Sequence, residues 1–127
     1  MKLVLDTNIL IDHLRGGDVW DSILKKVDEN TKFYLPSIVM IELFSGQSSK
    51  DKKSFDKIMK LVKCFDLVDL DSEIAAKAGE LYRDVSKSLE VPDYVVAATA
   101  LHLKAGVVTL NRKHFKLIPE LEMFEFE

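Results

Sequence analysis

Short, wholly apolar runs alternate along this chain with longer stretches whose apolar residues recur every three or four positions. The short runs at 3–5, 33–35, 65–70 and 107–110 read as strands, and 121–126 reads as a last edge strand. The first helix follows 3–5 at once. Thr7 or Asn8 suits its cap, and Gly16-Gly17 ends it. A second helix covers about 20–27. Pro36-Ser37 opens a third through Phe44, with Gly46 as its stop signal. In the fourth, about 50–63, Phe55, Ile58, Met59 and Val62 share a buried face, while Lys53, Lys57 and Lys60 lie on another. Asp71-Ser72 caps a fifth to about Ser86, with Ile74, Ala78, Leu81, Tyr82 and Val85 inward. A sixth begins at Val91-Pro92-Asp93, where proline suits a first turn, and ends at Gly106. One helical turn falls within 111–117.

Strands that are apolar on both faces and alternate with helices predict an α/β fold. The expected architecture is a three-layer sandwich, with a short, mainly parallel central sheet and helices on both faces. Ligands in such folds sit at the carboxyl ends of the strands. Asp6 lies at one such end, and residues 109–111 lie at another.

Composition narrows the class. The 127 residues are 47% hydrophobic and 31% charged, as in ordinary globular proteins, and one domain over 1–127 is expected. A net charge of -3 argues against a protein that coats nucleic acid by bulk charge. The single cysteine, Cys64, rules out an internal disulfide and a cysteine-based zinc cluster, fits a reducing cytoplasm, and reads as a small core residue. The opening MKLVLD meets Asp6 too early for a signal peptide, and no apolar run approaches the roughly 20 residues of a membrane helix.

Three acids stand where apolar residues are expected. Asp6 ends the first strand. Glu42 interrupts IVMIELF and shares a helical face with Ile38, Ile41 and Ser45. Asp93 begins DYVVAATA and shares a face with Val96, Ala97 and Ala100. Each has a structural explanation taken singly: a helix cap for Asp6, a favourable dipole for Asp93, a salt bridge for Glu42. Together they point elsewhere. Carboxylates near a core lose hydration and repel one another. A hard divalent cation such as Mg2+ or Mn2+ relieves both costs with oxygen ligands and retained waters. The absence of a cysteine cluster or a His pair at zinc spacing disfavours zinc.

The stretches LVLDTNILID at 3–12, PSIVMIELFSG at 36–46, PDYVVAATAL at 92–101 and VVTLNRKHF at 107–115 resemble the PIN-domain ribonucleases of the VapC toxin type, in order and spacing. The resemblance covers essentially the whole chain. It implies an Mg2+-dependent endoribonuclease, with Mn2+ as a substitute, and the toxin of a type II toxin–antitoxin pair. Asp6, Glu42 and Asp93 match the family's catalytic, metal-binding acids. Thr7 and Asn8 match its supporting polar pair, and Thr109 its hydroxyl residue near the cleft. The chain departs from the pattern at Asn111, where the family often carries a fourth acid; its amide can orient a water but supplies no charge for a second metal. The resemblance further implies a VapB-like antitoxin that blocks the cleft, a homodimer, and a cytoplasmic site of action.

Metal-assisted hydrolysis of RNA phosphodiesters follows from both lines. Asp6 and Asp93 would hold the principal ion, and Glu42 would complete the pocket and orient or deprotonate the attacking water. An acidic pocket repels RNA, so cations must flank it. Arg112, Lys113 and Arg15 are the expected RNA contacts, with Lys116 beside them, while the lysine face at 53, 57 and 60 reads as solvated. His114 is expected to face solvent rather than phosphate. Helices 9–14 and 20–24 offer an interface but read as core. The alternatives are a PIN fold that binds RNA or protein without cutting, and a receiver- or phosphatase-like domain with Asp6 as phosphoacceptor. The latter lacks a well-placed second acid and lysine.

Overall fold

The computed structural model describes residues 1–85 and 88–126. Within them, β1 (Lys2–Leu5), β2 (Lys32–Pro36), β3 (Asp66–Val68) and β4 (Gly106–Val108) form one sheet in the order β3-β2-β1-β4, every pair parallel. The register sets Val4 beside Tyr34 on one side and Val107 on the other. Leu3, Val4 and Leu5 are all buried, so β1 is covered on both faces; this is why its apolar run does not alternate.

From β1 the chain steps outward to β2 and β3, then returns to the far side of β1 as β4. Right-handed crossovers therefore set α1 (Thr7–Leu14), α2 (Val19–Leu24), α3 (Ser37–Phe44) and α4 (Lys52–Val62) on one face. The return places α5 (Ser72–Asp84) and α6 (Val91–Leu103) on the other. α1 lies against α2 and α3, α3 against α4, and α6 against α5 and strands β1, β2 and β4, while α3 also meets α6. Held between α5 and the sheet, α6 buries every residue from Tyr94 to Ala100. A single turn, α7 (Arg112–Phe115), follows β4 and is anchored by buried Phe115.

Several local expectations are corrected. The cap of α1 is Asp6, as weighed for that acid, and not Thr7 or Asn8: its carboxylate accepts the Thr7 N–H at 2.9 Å. The stretch Gln47–Lys50 is a 3-10 turn, and α4 starts after it, capped by Asp51 accepting the Ser54 N–H at 3.2 Å. Lys104, at φ 56°, makes the left-handed turn that ends α6. Gly106 instead opens β4, where a Cβ would come within 3.3 Å of Leu3 Cδ2. The edge strand at 121–126 reduces to one bridge, Val107 to Met123, held by two backbone hydrogen bonds of 2.9 Å. Tyr82 is exposed rather than inward, and Phe55 packs on Phe44 at the surface. Cys64 is exposed, not core. The expected end of α5 at Ser86 lies outside the described residues.

The helices weighed as an interface belong mainly to the core. Ile9, Leu10 and Ile23 are fully buried, and Trp20 packs edge-on to Phe33 and Phe65 with ring centroids 4.9 and 5.5 Å apart. Among the described residues no helix is long and apolar enough to cross a membrane.

Candidate active site

The sheet reverses its strand order beside β1, between β1 and β4, the switch point at whose carboxyl ends such folds bind their ligands. Asp6 sits at this point. Its N–H extends the ladder to the Val108 carbonyl at 3.0 Å, so the rigid sheet fixes its backbone. At 4% exposure it is the only buried side chain among Asp, Glu, Lys, Arg and His in the described residues. Among the described residues no cation pairs with it. Its oxygens accept from the Thr7 N–H at 2.9 Å, Thr109 Oγ1 at 2.7 Å and Asn8 Nδ2 at 3.2 Å. Burial outweighs these bonds and pushes the carboxyl up to about 6, and the charges of Asp93 and Glu42 push the same way.

Asn8 and Thr109 act as one clamp. Asn8 Nδ2 also donates to Thr109 Oγ1 at 3.3 Å, and Asn8 Oδ1 accepts the Leu110 N–H at 3.1 Å. Asn111 enters through its backbone, its N–H donating to Thr109 Oγ1 at 2.9 Å. The end of β4 is thereby tied to the start of α1 around the Asp6 carboxylate.

Glu42 reaches the site from α3. Thr7 Oγ1 donates to Glu42 Oε1 at 2.7 Å, so Thr7 bridges Asp6 and Glu42: its N–H serves one carboxylate and its hydroxyl the other. The salt bridge weighed for Glu42 does not occur among the described residues. Its helical face is also more open than the apolar sequence suggests, since Ile41 is 65% exposed.

Asp93, half-buried in the first turn of α6, accepts the Glu90 N–H on Oδ2 at 3.0 Å and so closes a capping box, in the first helical turn where the dipole also favours an acid. Burial raises its carboxyl pKa, chiefly opposed by that backbone bond. The nearby charge of His114, half-buried on α7, also lowers it.

The three acids do not form a finished ligand cage: among the described residues, no three His, Cys, Asp or Glu side chains stand ready to hold a metal together. Glu42 is turned to Thr7 and Asp93 to the Glu90 N–H. What the site offers is a buried carboxylate without a counter-cation, repelled by two acidic neighbours, all with oxygen donors. That donor set fits a hydrated Mg2+ or Mn2+, which takes one or two protein carboxylates and keeps its waters.

The expected RNA contacts divide. Arg112 is committed elsewhere, since Nη2 pairs with Glu125 Oε1 at 2.5 Å and its buried Nε lacks a partner among the described residues. Lys113 is exposed on α7. Arg15 borders a cavity beside Glu42 that also includes Lys57, a residue the lysine spacing alone assigned to a solvated face. No sequence signal marks Lys57 out from Lys53 and Lys60; only the packing of α4 against α3, which brings Lys57 to this cavity, does.

The fold and site define a class: parallel α/β domains with a fixed, buried carboxylate at the sheet's switch point and further acids delivered by flanking helices. The PIN domain family matches residues 3–121, and the chain belongs to that family. It is 31% identical over 124 residues to Ribonuclease VapC19 of Mycobacterium tuberculosis, covering 96% of this chain and 98% of that protein. It is 31% identical over 131 residues to Ribonuclease VapC of Rickettsia bellii, covering 97% and 95%. In structure it resembles VapBC2 from Rickettsia felis, solved bound to a DNA fragment from its promoter, with a TM-score of 0.85, 25% identity and full coverage of both chains.

Proposed function

We propose that this protein is a metal-dependent endoribonuclease of the VapC kind, the toxin of a toxin–antitoxin pair. The observation that carries the reading is Asp6: a buried, cation-free carboxylate at the switch point, pressed by Asp93 and Glu42. Full-length similarity to proteins named Ribonuclease VapC supports the reaction class, and the likeness to VapBC2 supports a VapB-like antitoxin as partner. A homodimer and a cytoplasmic site of action accompany this reading.

Asp6 and Asp93 would hold Mg2+, with Mn2+ as substitute, and Glu42 would complete the acidic pocket. When bound, the ion lowers the pKa of a water and offsets charge building on the phosphate. The protein's own part is positional. Thr109 and Asn8 keep the Asp6 carboxylate from rotating, and Thr7 holds Glu42 within reach of a water that it orients or deprotonates. Cations on the rim, Lys113 and Arg15 among them, bring phosphates to a pocket that otherwise repels them, which sets position and not sequence preference.

Purified protein should cut RNA with Mg2+ or Mn2+ and stop in EDTA. Asp6→Asn and Asp93→Asn should each abolish cutting while circular dichroism shows an intact fold. Full activity in EDTA, or in either variant, refutes the mechanism. A metal-loaded protein that binds RNA but cuts none favours the non-cleaving module. Expression should arrest growth, and co-expression of the neighbouring reading frame should relieve the arrest.

A further inference from the structure

We propose that Arg112 binds a phosphate of the RNA beside the acidic site, and that in the free protein the Glu125 carboxylate holds that phosphate's place. The inference rests on the ribonuclease reading and adds a displaceable contact to it. Arg112 follows the clamp around Asp6 directly. It opens α7 after Asn111, whose N–H donates at 2.9 Å to the Thr109 hydroxyl that itself serves Asp6. Buried Phe115 pins the turn to the core. Lys113 and Lys116 lie beside it, exposed and without an acidic partner among the described residues. A cationic turn next to an acidic pocket is where an approaching polyanion gains attraction.

Glu125 comes to the same place from the last segment of the chain. That segment runs parallel to β4, with Met123 beside Val107. The Val107 N–H donates to the Glu122 carbonyl and the Phe124 N–H to the Val107 carbonyl, both at 2.9 Å. The segment therefore carries Glu125 toward the end of β4 where Thr109 lies, and buried Phe126 fastens it. The Glu125 side chain is 74% exposed, and it accepts from Arg112 through Oε1 alone.

The pair is incomplete. Arg83 shows a complete one in this chain: its Nε and Nη2 donate to the two oxygens of Asp84, both at 2.7 Å. Arg112 donates to Glu125 only through Nη2, and its Nε is buried without a partner among the described residues. A buried donor left unpaired disfavours the arrangement that leaves it so. An ion pair as exposed as this one contributes little. A phosphate offers more charge and the two parallel bonds that a guanidinium fork is shaped for. Exchange of Glu125 for phosphate therefore gives Arg112 a fuller contact, while Glu125, already mostly exposed, returns to water at small cost.

The test follows binding of a fluorescent single-stranded RNA by anisotropy in EDTA, where cutting is off. Glu125→Gln should tighten binding about threefold, the scale of one exposed ion pair that no longer competes. Arg112→Ala should weaken it several-fold and lower the salt slope by about 0.7, the value for one phosphate contact on a single strand. In the Arg112→Ala background, Glu125→Gln should change nothing. Nitrogen NMR spectra of the arginine side chains give a second readout on the folded protein. The Arg112 Nε–H signal, identified by its loss in Arg112→Ala, should move on addition of RNA toward its position in Glu125→Gln.

Weaker RNA binding in Glu125→Gln overturns the proposal and makes the pair a strut that positions Arg112. Equal tightening in both backgrounds also overturns it, leaving only the loss of one negative charge. So does an Arg112 signal that RNA leaves unmoved. The exchange without any cutting in Mg2+ would support the contact and refute the nuclease reading; cutting with no response to Glu125→Gln would do the reverse.

Discussion

Replacing Asp6 by Asn tests the electrostatic argument at its centre. A carboxyl that titrates near 6 in the fold and at 3.8 in the open chain is a burden on the folded protein. The native state binds more protons between those values, so stability falls as pH rises through that window. Above it the cost is about 3 kcal/mol in the absence of metal. Asn carries no charge and removes that cost. It also gives up one acceptor oxygen, because an amide cannot serve the Thr7 N–H and also Thr109 Oγ1 and Asn8 Nδ2 as the carboxylate does; that loss is about 1 kcal/mol. Urea denaturation in EDTA should therefore find Asp6→Asn more stable than the natural protein by about 2 kcal/mol near pH 7.5. Near pH 4.5, where the linkage has shrunk to about 1 kcal/mol, the two should be equal. Excess Mg2+ should raise the stability of the natural protein and leave the variant unmoved. A variant that is less stable at both pH values, or whose difference does not change with pH, refutes the claim that Asp6 is a desolvated, uncompensated charge.

Thr109→Val removes the hydroxyl that donates to Asp6 and accepts from Asn8 and Asn111. It should cost about 1–3 kcal/mol in urea denaturation and loosen metal binding measured by calorimetry, and Thr109→Ser should recover most of both. Asp51→Ala removes the cap of α4 away from the acids, so it should cost about 1 kcal/mol of stability while cutting with Mg2+ continues unchanged. Mg2+ at about 100 times its dissociation constant should stabilise the natural protein by about 2.7 kcal/mol in thermal melts, and Asp93→Asn should lose most of that gain.

Pattern and side-chain type were enough to read the strands, the helices and the parallel α/β class, because a strand buried on both faces cannot alternate and a one-sided helix must repeat near 3.6. Asp6, Glu42 and Asp93 were legible as acids out of place for the same reason. The ends of elements were less so. An edge strand at 121–126 has the composition of a strand, yet only Met123 bridges β4. Gly106 resembles a helix stop, yet its job is to let β4 approach Leu3.

Which acids meet, and through what, was a matter for the tertiary structure. The bond from Thr7 to Glu42 spans 35 residues of chain and that from Thr109 to Asp6 spans 103, distances over which no local spacing carries information. Arg112 reads as a free cation until the chain returns with Glu125, and Lys57 reads like its neighbours until α4 packs beside Glu42. Sequence determines what each residue can do, since charge, size and backbone preference belong to the residue. Whether Asp6 is a cap, a ligand or both depends on desolvation and on the charges nearby, and those exist only once distant segments are packed together.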